Sequence, residues 1–371
     1  MKAPAQGSPA LLFGVPIDDL TMNETVQVVG DLIRHGRDLH RSHQIATVNV
    51  DFLVNAARDE HVRELLQQAD VCLPDGMPVR WAARAAGMPL RERVTGADLV
   101  PALAERAATL GWKIHLFGSG EGVAHRSAEL LRLRFPGALV TADSGPALGS
   151  IAHVDEAVAA ALVAADPDIL CVALGNPKQE RFIDVYRHVL RTPVLIGIGG
   201  ALDLLAGDRR RAPRWVQRAG LEWVVRAAQE PTRLGRRYAH DAKVFVPQLA
   251  RYIRQVQKLG AASRLSLSLG GTSPSPVDNI GSVRARMATT VESSTPVHTA
   301  VESLRHGAFL ELDIGDIEQL TLPALAELIG LLRAARRYDS VVKAAPLHPT
   351  LRNQIEELGL GSYLAHPETF G

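Results

Sequence analysis

Residues 168–177, DILCVALGNP, and residues 193–200, PVLIGIGG, are two short, continuous apolar runs that each end in glycine or proline. A short apolar run without polar alternation reads as a strand buried on both faces of a sheet. The same kind of signal recurs upstream. ATVNVDFLVNAA (46–57) opens on a β-branched run, and ADVCLPDGM (69–77) is a short strand entering a turn. WKIHLFGSGEG (112–122) is a strand followed by a glycine turn, and ALVTADSG (138–145) is another strand. Helical patterns lie between them. One runs through LLRLRF and stops at Pro136-Gly137, and in another Val154, Val158, Ala161, Leu162 and Ala165 recur at helical spacing before Asp166-Pro167. This alternation predicts an α/β fold, a Rossmann-like sheet with parallel strands at its centre and helices covering it. Ligands of such sheets sit beyond the carboxyl ends of the strands, and every conspicuous polar cluster here follows a predicted strand.

The chain has 371 residues, 46% hydrophobic and 22% charged, enough for two or three domains at roughly 150 residues each. No uninterrupted apolar stretch of about 18 residues marks a membrane-spanning helix. The first residues, MKAPAQGSPALLFG, lack the apolar core of a secretory signal. Two cysteines, Cys72 and Cys171, make neither a disulfide scaffold nor a cysteine metal site, which suits a reducing, cytoplasmic compartment. The net charge of +1 argues against a general nucleic-acid binder but hides a local asymmetry. Residues 208–258 hold thirteen basic residues against Asp208, Glu222, Glu230 and Asp241, a net +9. Trp215, Trp223, Tyr238 and Tyr252 interleave with them. Such a segment reads either as a surface for phosphates and anionic lipid head groups or as solvated helix faces packed on a core.

A Ser/Gly/Pro-rich stretch at 259–282 reads as a linker in which the SRLSLSL alternation allows a short strand. The tail, 283–371, is long enough for one small domain. It reads as a strand (FLELDI), a helix from Pro323 to Arg337, a strand (SVVKAA) and a helix (HPTLRNQIEELGL).

Four clusters are candidates for chemistry. Gly118-Ser119-Gly120-Glu121-Gly122 is half of a dinucleotide fingerprint. Val123 stands where the third glycine belongs, so the turn is either a phosphate-presenting loop or a plain tight turn. Asp75, between Pro74 and Gly76 at a strand end, supports its own turn or serves as a general base in a cleft mouth. GNPKQERF places Pro177 near a helix start with a polar first turn, suited to an anion or to sugar hydroxyls, or simply to capping. Gly197, Gly199 and Gly200 allow close approach of a ligand, with Asp203 one helical turn later. Two other features are set aside. Asp166-Pro167-Asp168 matches an Asp-x-Asp metal pattern but lies on the amino-end side of the sheet. His35, His40 and His43, in RHGRDLHRSH, read as a solvated connection with no completing metal ligands. No metal and no cofactor is expected.

The order of TVN, PDG, RVTGADL, GNPKQE, GIGGALDLLAGDRRRAP and GLEWVVRAAQEPTRLGRRY resembles the WecG/TagA/CpsF family of bacterial glycosyltransferases over about residues 12–258. The resemblance implies a glycosyltransferase domain over 1–258, with 208–258 as its basic helical appendage. It implies an inverting, metal-independent hexosyltransferase that moves a sugar from a UDP-sugar to an undecaprenyl-diphosphate-linked acceptor. The protein would then be cytoplasmic and peripherally associated with the inner face of the plasma membrane. Residue by residue, it makes Asp75 the catalytic base, with Thr47, Asn49 and Arg93 beside its pocket. It places Gly118, Gly175, Pro177, Gln179, Glu180, Gly199 and Asp203 on the donor side. It assigns Arg226, Arg233, Arg236 and Arg237 to the acceptor diphosphate and the membrane. The family's Gly-Tyr-Phe-like turn is replaced here by SGPALGS (144–150), which leaves the donor sugar open. The tail is similar to a STAS domain, a docking or self-association module, with Thr321-Leu322 where STAS phosphoswitches carry Asp-Ser. Two other readings remain open from the residues alone. One is a nucleotide-sugar-binding regulator signalling through the tail. The other is a nicotinamide-linked dehydrogenase, weakened by the failed glycine spacing.

Overall fold

The computed structural model describes residues 8–145, 151, 153–209, 211–213, 215–216, 221–229, 231–258, 266–270, 282–288, 304, 309–314, 317–344 and 346–364. These residues fall into two compact units, Leu20–Trp81 with Arg91–Val246, and Met1–Asp19 with Ala82–Leu90 and Pro247–Gly371.

In the larger unit six parallel strands form one sheet. In chain order they are β3 (His43–Val48), β4 (Val71–Pro74), β5 (Lys113–Gly118), β6 (Leu139–Asp143), β7 (Ile169–Ala173) and β8 (Val194–Gly197), β1 and β2 being the N-terminal hairpin described below. Their order across the sheet is β4-β3-β8-β7-β5-β6. The period of two is visible in the burial. Ile169, Cys171, Val194 and Ile196 enter one core, and Leu170, Val172 and Leu195 enter the other. The first core is completed by helices α1 (Met22–Leu39), α5 (Gly96–Leu110), α6 (Val123–Arg134) and α9 (Ala201–Leu205). The second is completed by α7 (Glu156–Ala165) and α8 (Lys178–Leu190). Helices α2 (Val50–Ala56) and α3 (Glu60–Gln68) link β3 to β4, and α4 (Met77–Ala85) follows β4. Local capping fixes where helices begin. Thr21 and Glu24 make a reciprocal capping box at α1, and the side chains of Asn49, Thr95 and Asp155 cap α2, α5 and α7. Strand β3 lies between its successor β4 and the last strand, β8. Such a reversal of strand order opens a crevice at the carboxyl ends.

Beyond the sheet come α10 (Glu222–Gln229), a π-helical turn (Pro231–Gly235) and α11 (Arg236–Lys258). The Trp223 and Tyr238 rings meet edge to face at 6.2 Å, joining the two helices across that turn.

The smaller unit contains the antiparallel hairpin of β1 (Ala10–Leu12) and β2 (Val15–Ile17). Its second sheet is made of β9 (Ser266–Gly270), β10 (Ser282–Ala288), β11 (Phe309–Asp313) and β12 (Val342–Ala344) in the order β12-β11-β10-β9. Strands β10, β11 and β12 are parallel, and β9 is antiparallel to β10. Helices α12 (Leu322–Arg337) and α13 (Pro349–Glu357) complete the strand–helix–strand–helix order read from the tail. Within the SRLSLSL alternation of the expected linker, residues 266–269 belong to the strand β9. The Thr321 hydroxyl caps α12 by accepting the Ala324 N–H at 3.3 Å. Arg333 is buried and forks onto Asp18 at 2.9 and 3.0 Å, while the Tyr252 hydroxyl donates to the Leu11 carbonyl at 2.7 Å. The hairpin thus folds with the C-terminal half of α11 and with α12.

Candidate active site

Asp75 follows β4 directly, and its backbone N–H donates to the Val48 carbonyl at 2.8 Å. That bond sets the Asp75 turn against the end of β3, where Asn49 is occupied as the α2 cap and accepts the Phe52 N–H at 3.3 Å. Burial pushes the Asp75 carboxyl up to about 6. Arg226 and Arg93 oppose that rise, and Glu222 and Asp98 reinforce it. A carboxyl held near neutrality is a competent proton acceptor, which the ordinary value of about 3.9 would not give.

The charged groups around it form a network. Arg93 Nη1 donates to Glu222 Oε2 at 2.8 Å, and its Nη2 lies 3.9 Å from Asp98 Oδ2. Arg211 pairs with Asp98, and its Nε lies 3.7 Å from Glu222 Oε1. Thr95 Oγ1 donates to Asp98 Oδ2 at 2.8 Å, which fixes that carboxylate.

The glycine turn after β8 is the second part. Gly199 has φ +53°, and its N–H donates to Gln179 Oε1 at 2.9 Å. Gln179 Nε2 donates to Glu180 Oε1 at 2.8 Å, and both side chains are fully buried. Burial pushes the Glu180 carboxyl up to about 8, despite the Gln179 hydrogen bond. Its Oε2 has no partner among the described residues, as suits a neutral acid. A Cβ at Gly200 would stand 3.5 Å from Arg209 Nη1 and 3.7 Å from both Arg226 Nη2 and Asp203 Oδ2. Those three groups, two cations and one carboxylate, therefore ring the turn.

Asp203 accepts from the Ser119 hydroxyl at 2.7 Å and pairs with Arg209 at 3.0 Å. It thereby ties the turn after β5 to the turn after β8. Gly118 needs its φ of +98°, and a Cβ there would also press on the Ala173 carbonyl at 3.0 Å. Gly175 has φ +76° and accepts the Gln179 N–H on its carbonyl at 2.9 Å. Pro177 follows a cis bond from Asn176 and precedes α8, while the Asn176 amide donates to Asp51 at 3.0 Å.

The sequence candidates thus separate. Asp75, Arg93 and Arg226 share one electrostatic neighbourhood, and Gly199 and Asp203 share the adjoining turn. Thr47 is buried in β3 and donates its hydroxyl to the Gly197 carbonyl at 2.8 Å. Gln179 and Glu180 hold the turn from beneath. Arg237 stacks over the Tyr238 ring at 5.3 Å and is one of the cations facing buried Asp241, Arg236 is exposed, and the Arg233 side chain lies outside the described residues. Ser119 stood in the glycine cluster and Glu222 in the family-like appendage without a role of its own, and Asp98, Arg209 and Arg211 were given none. All five lay in stretches already marked: Ser119 in the turn at 118–122, Asp98 in RVTGADL, Arg209 and Arg211 in GDRRRAP, and Glu222 in the basic appendage.

The expectation of a solvated run at His43 is corrected. His43 opens β3, is fully buried, and lies 3.3 Å from Asp70 and 3.0 Å from His35. The run is instead the end of α1 and the start of the sheet, anchored where Arg37 pairs with Asp168. Asp168 also accepts the Lys113 N–H at 2.8 Å, which assigns it to the amino ends of β5 and β7. Among the described residues, no three His, Cys, Asp or Glu side chains are grouped to hold a metal ion.

A raised carboxyl and arginines beyond the carboxyl ends of a parallel sheet suit an enzyme of the group-transfer kind. Residues 10–259 match the Glycosyl transferase WecG/TagA/CpsF family, and the chain belongs to that family. It is similar to a Bacillus spizizenii N-acetylglucosaminyldiphosphoundecaprenol N-acetyl-beta-D-mannosaminyltransferase, with 32% identity over 58% of this chain and 82% of the relative. A Bacillus subtilis protein of the same name is 32% identical over 51% of this chain and 72% of its own. A Staphylococcus aureus protein of that name is 27% identical over 67% of this chain and 94% of its own.

Proposed function

We propose that this glycosyltransferase moves a hexosamine residue from a UDP-sugar to a sugar on a polyprenyl diphosphate, by a single inverting displacement. The relatives' names favour N-acetylmannosamine as the donor sugar and an N-acetylglucosaminyl-diphosphate lipid as the acceptor. In the step, an acceptor hydroxyl oxygen forms a bond to the anomeric carbon as the bond from that carbon to UDP breaks. The hydroxyl proton passes to Asp75, and the negative charge leaves on UDP. The observation that carries this reading is the Asp75 carboxyl near neutrality beside Arg93 and Arg226. Arg226 Nε is buried without a hydrogen-bond partner among the described residues, which suits a guanidinium kept for phosphate oxygens. The Arg209 and Arg226 guanidiniums beside the Gly199–Gly200 turn suit the diphosphate of the leaving group. No cofactor enters this reading, and arginines offset the leaving charge where other transferases use a metal.

The membrane side rests on the appendage. Among the described residues, no helix is long and apolar enough to cross a membrane. Trp215, Leu221, Trp223, Val224 and Val246 are exposed within a segment of net +9, a composition suited to an anionic bilayer surface. We assign the tail, as a STAS-like unit, a docking or self-association role.

The test is UDP release from a panel of UDP-sugars, with and without a short-chain polyprenyl-diphosphate N-acetylglucosamine. Acceptor-dependent release that Asp75→Asn abolishes, with donor binding retained, supports the transferase. Full turnover in Asp75→Asn overturns it, and binding without release on any acceptor favours the regulatory reading.

A further inference from the structure

The appendage helix α10 carries Glu222 and Arg226 four residues apart, on one face of a helix. Arg226 stands by Asp75 and the Gly200 turn. Glu222 does something different. It is partly buried and points its carboxylate at Arg93, Nη1 to Oε2 at 2.8 Å, with Arg211 Nε 3.7 Å away on its other oxygen. Among the described residues, the other group that holds Arg93 is Asp98 at 3.9 Å, and Asp98 is shared with Arg211 and with the Thr95 hydroxyl. The charged groups facing Asp75 are therefore two cations, Arg226 and Arg93, and two anions, Glu222 and Asp98.

We infer that Glu222 is a positioning residue for the transfer reaction, pairing with Arg93 so that this guanidinium does not pair with the Asp75 carboxylate and the base stays free for the acceptor hydroxyl. This rests on the reading of Asp75 as the base. The argument is one of competition. Arg93 offers a planar fork, and two carboxylates stand within its neighbourhood. Removing the nearer one leaves Arg93 with Asp98 alone, which Arg211 and the Thr95 hydroxyl already share, so the guanidinium is left to turn toward Asp75. An arginine paired to the base would stabilise its ionised form and blunt its proton affinity. Because Glu222 and Arg226 share α10, the same helix adds one cation near Asp75 and offsets part of the field of another. The base and the anion site are completed by the same helix. The segment of net +9 could otherwise be expected only to weaken a carboxylate base.

The experiment is the pH dependence of kcat/KM for acceptor-dependent UDP release by the full chain. Wild type, Glu222→Gln, Glu222→Asp, Glu222→Gln with Arg93→Gln, and Asp75→Asn are compared, with thermal melts to confirm folding. Wild type should lose activity on the acid side as Asp75 takes up a proton. In Glu222→Gln that limb should move to lower pH by roughly half a unit to one unit, with a reduced plateau. Glu222→Asp should keep the wild-type limb. Removing Arg93 in the Glu222→Gln background should carry the limb back up, whatever the loss of rate. An unmoved limb in a folded Glu222→Gln enzyme overturns the inference, and so does a wild type with no acid limb between pH 5 and 7. If Glu222→Gln does not fold, the Glu222→Asp and Arg93→Gln variants decide. Arg93→Gln alone must then raise the limb and Glu222→Asp leave it in place, and any other pair of results overturns the inference. Full activity in Asp75→Asn is a separate outcome, which removes the base reading itself.

Discussion

Gln179 Oε1 accepts the backbone N–H of Gly199 at 2.9 Å, so a fully buried amide in α8 sets the turn at the end of β8. The amide is oriented in turn by Glu180, and both side chains pack over Gly197. A Cβ at Gly197 would fall 2.6 Å from Gln179 Nε2 and 2.9 Å from Glu180 Oε1, with no solvent for either to move into. Gly197→Ala is expected to cost about 1–3 kcal/mol and to disorder the glycine turn. A urea titration should show the lower midpoint, with turnover falling further than stability alone explains.

Glu180 gives a stability signature. Its native carboxyl is raised to about 8, so the folded state holds a proton that the unfolded state releases above about 4.5. Stability is therefore lost as pH rises from about 4.5 to about 8, and the loss is complete above that. Glu180→Gln keeps an oxygen for Gln179 Nε2 and removes the titration. Melting curves at pH 6 and pH 9 should show a steeper decline for wild type, with the variant ahead at pH 9 by about 1 kcal/mol, or roughly 2–4 °C.

Arg226 should matter to charge rather than to folding. Arg226→Ala is expected to lower kcat/KM for UDP release by about 10²-fold, as loss of a charged hydrogen bond of about 1.5–3 kcal/mol implies. The melting temperature should stay within about 2 °C, since a side chain so placed supports little packing. Equal kinetics in wild type and variant would remove Arg226 from the anion site.

Arg333 and Asp18 make the opposite case. Removing the buried guanidinium takes its two-pronged partner from the Asp18 carboxylate, so Arg333→Ala is expected to destabilise the smaller unit by about 2–4 kcal/mol. Limited proteolysis should then cut near residues 10–17 before the six-stranded sheet is attacked.

Much of the larger unit was legible. DILCVALGNP and PVLIGIGG could only be central strands, because parallel strands covered on both faces have no polar side to show. Asp75 was legible as a polar residue beyond a strand end, although the residues alone favoured a role in its own turn. What could not be read is contact across large separations. Arg93 meets Glu222 from 129 positions away, and no periodicity records that. Thr47 and Gln179 were matched to a pocket by motif, yet burial commits their polar atoms to Gly197 and Gly199. The His43 run looked solvated because composition counts polar residues without knowing which one the sheet will swallow.

The Arg333–Asp18 pair spans 315 positions, and this separation has a consequence for synthesis. At about 5–20 residues per second, the hairpin leaves the ribosome roughly 15–60 s before its helical partner exists. During that interval Leu11, Leu12, Val15 and Ile17, all fully buried at the end, lack the cover of α12. The larger unit is translated in between and can complete its sheet first. Maturation of this chain therefore closes on its two ends, and a nascent-chain chaperone would find its natural substrate in residues 10–17.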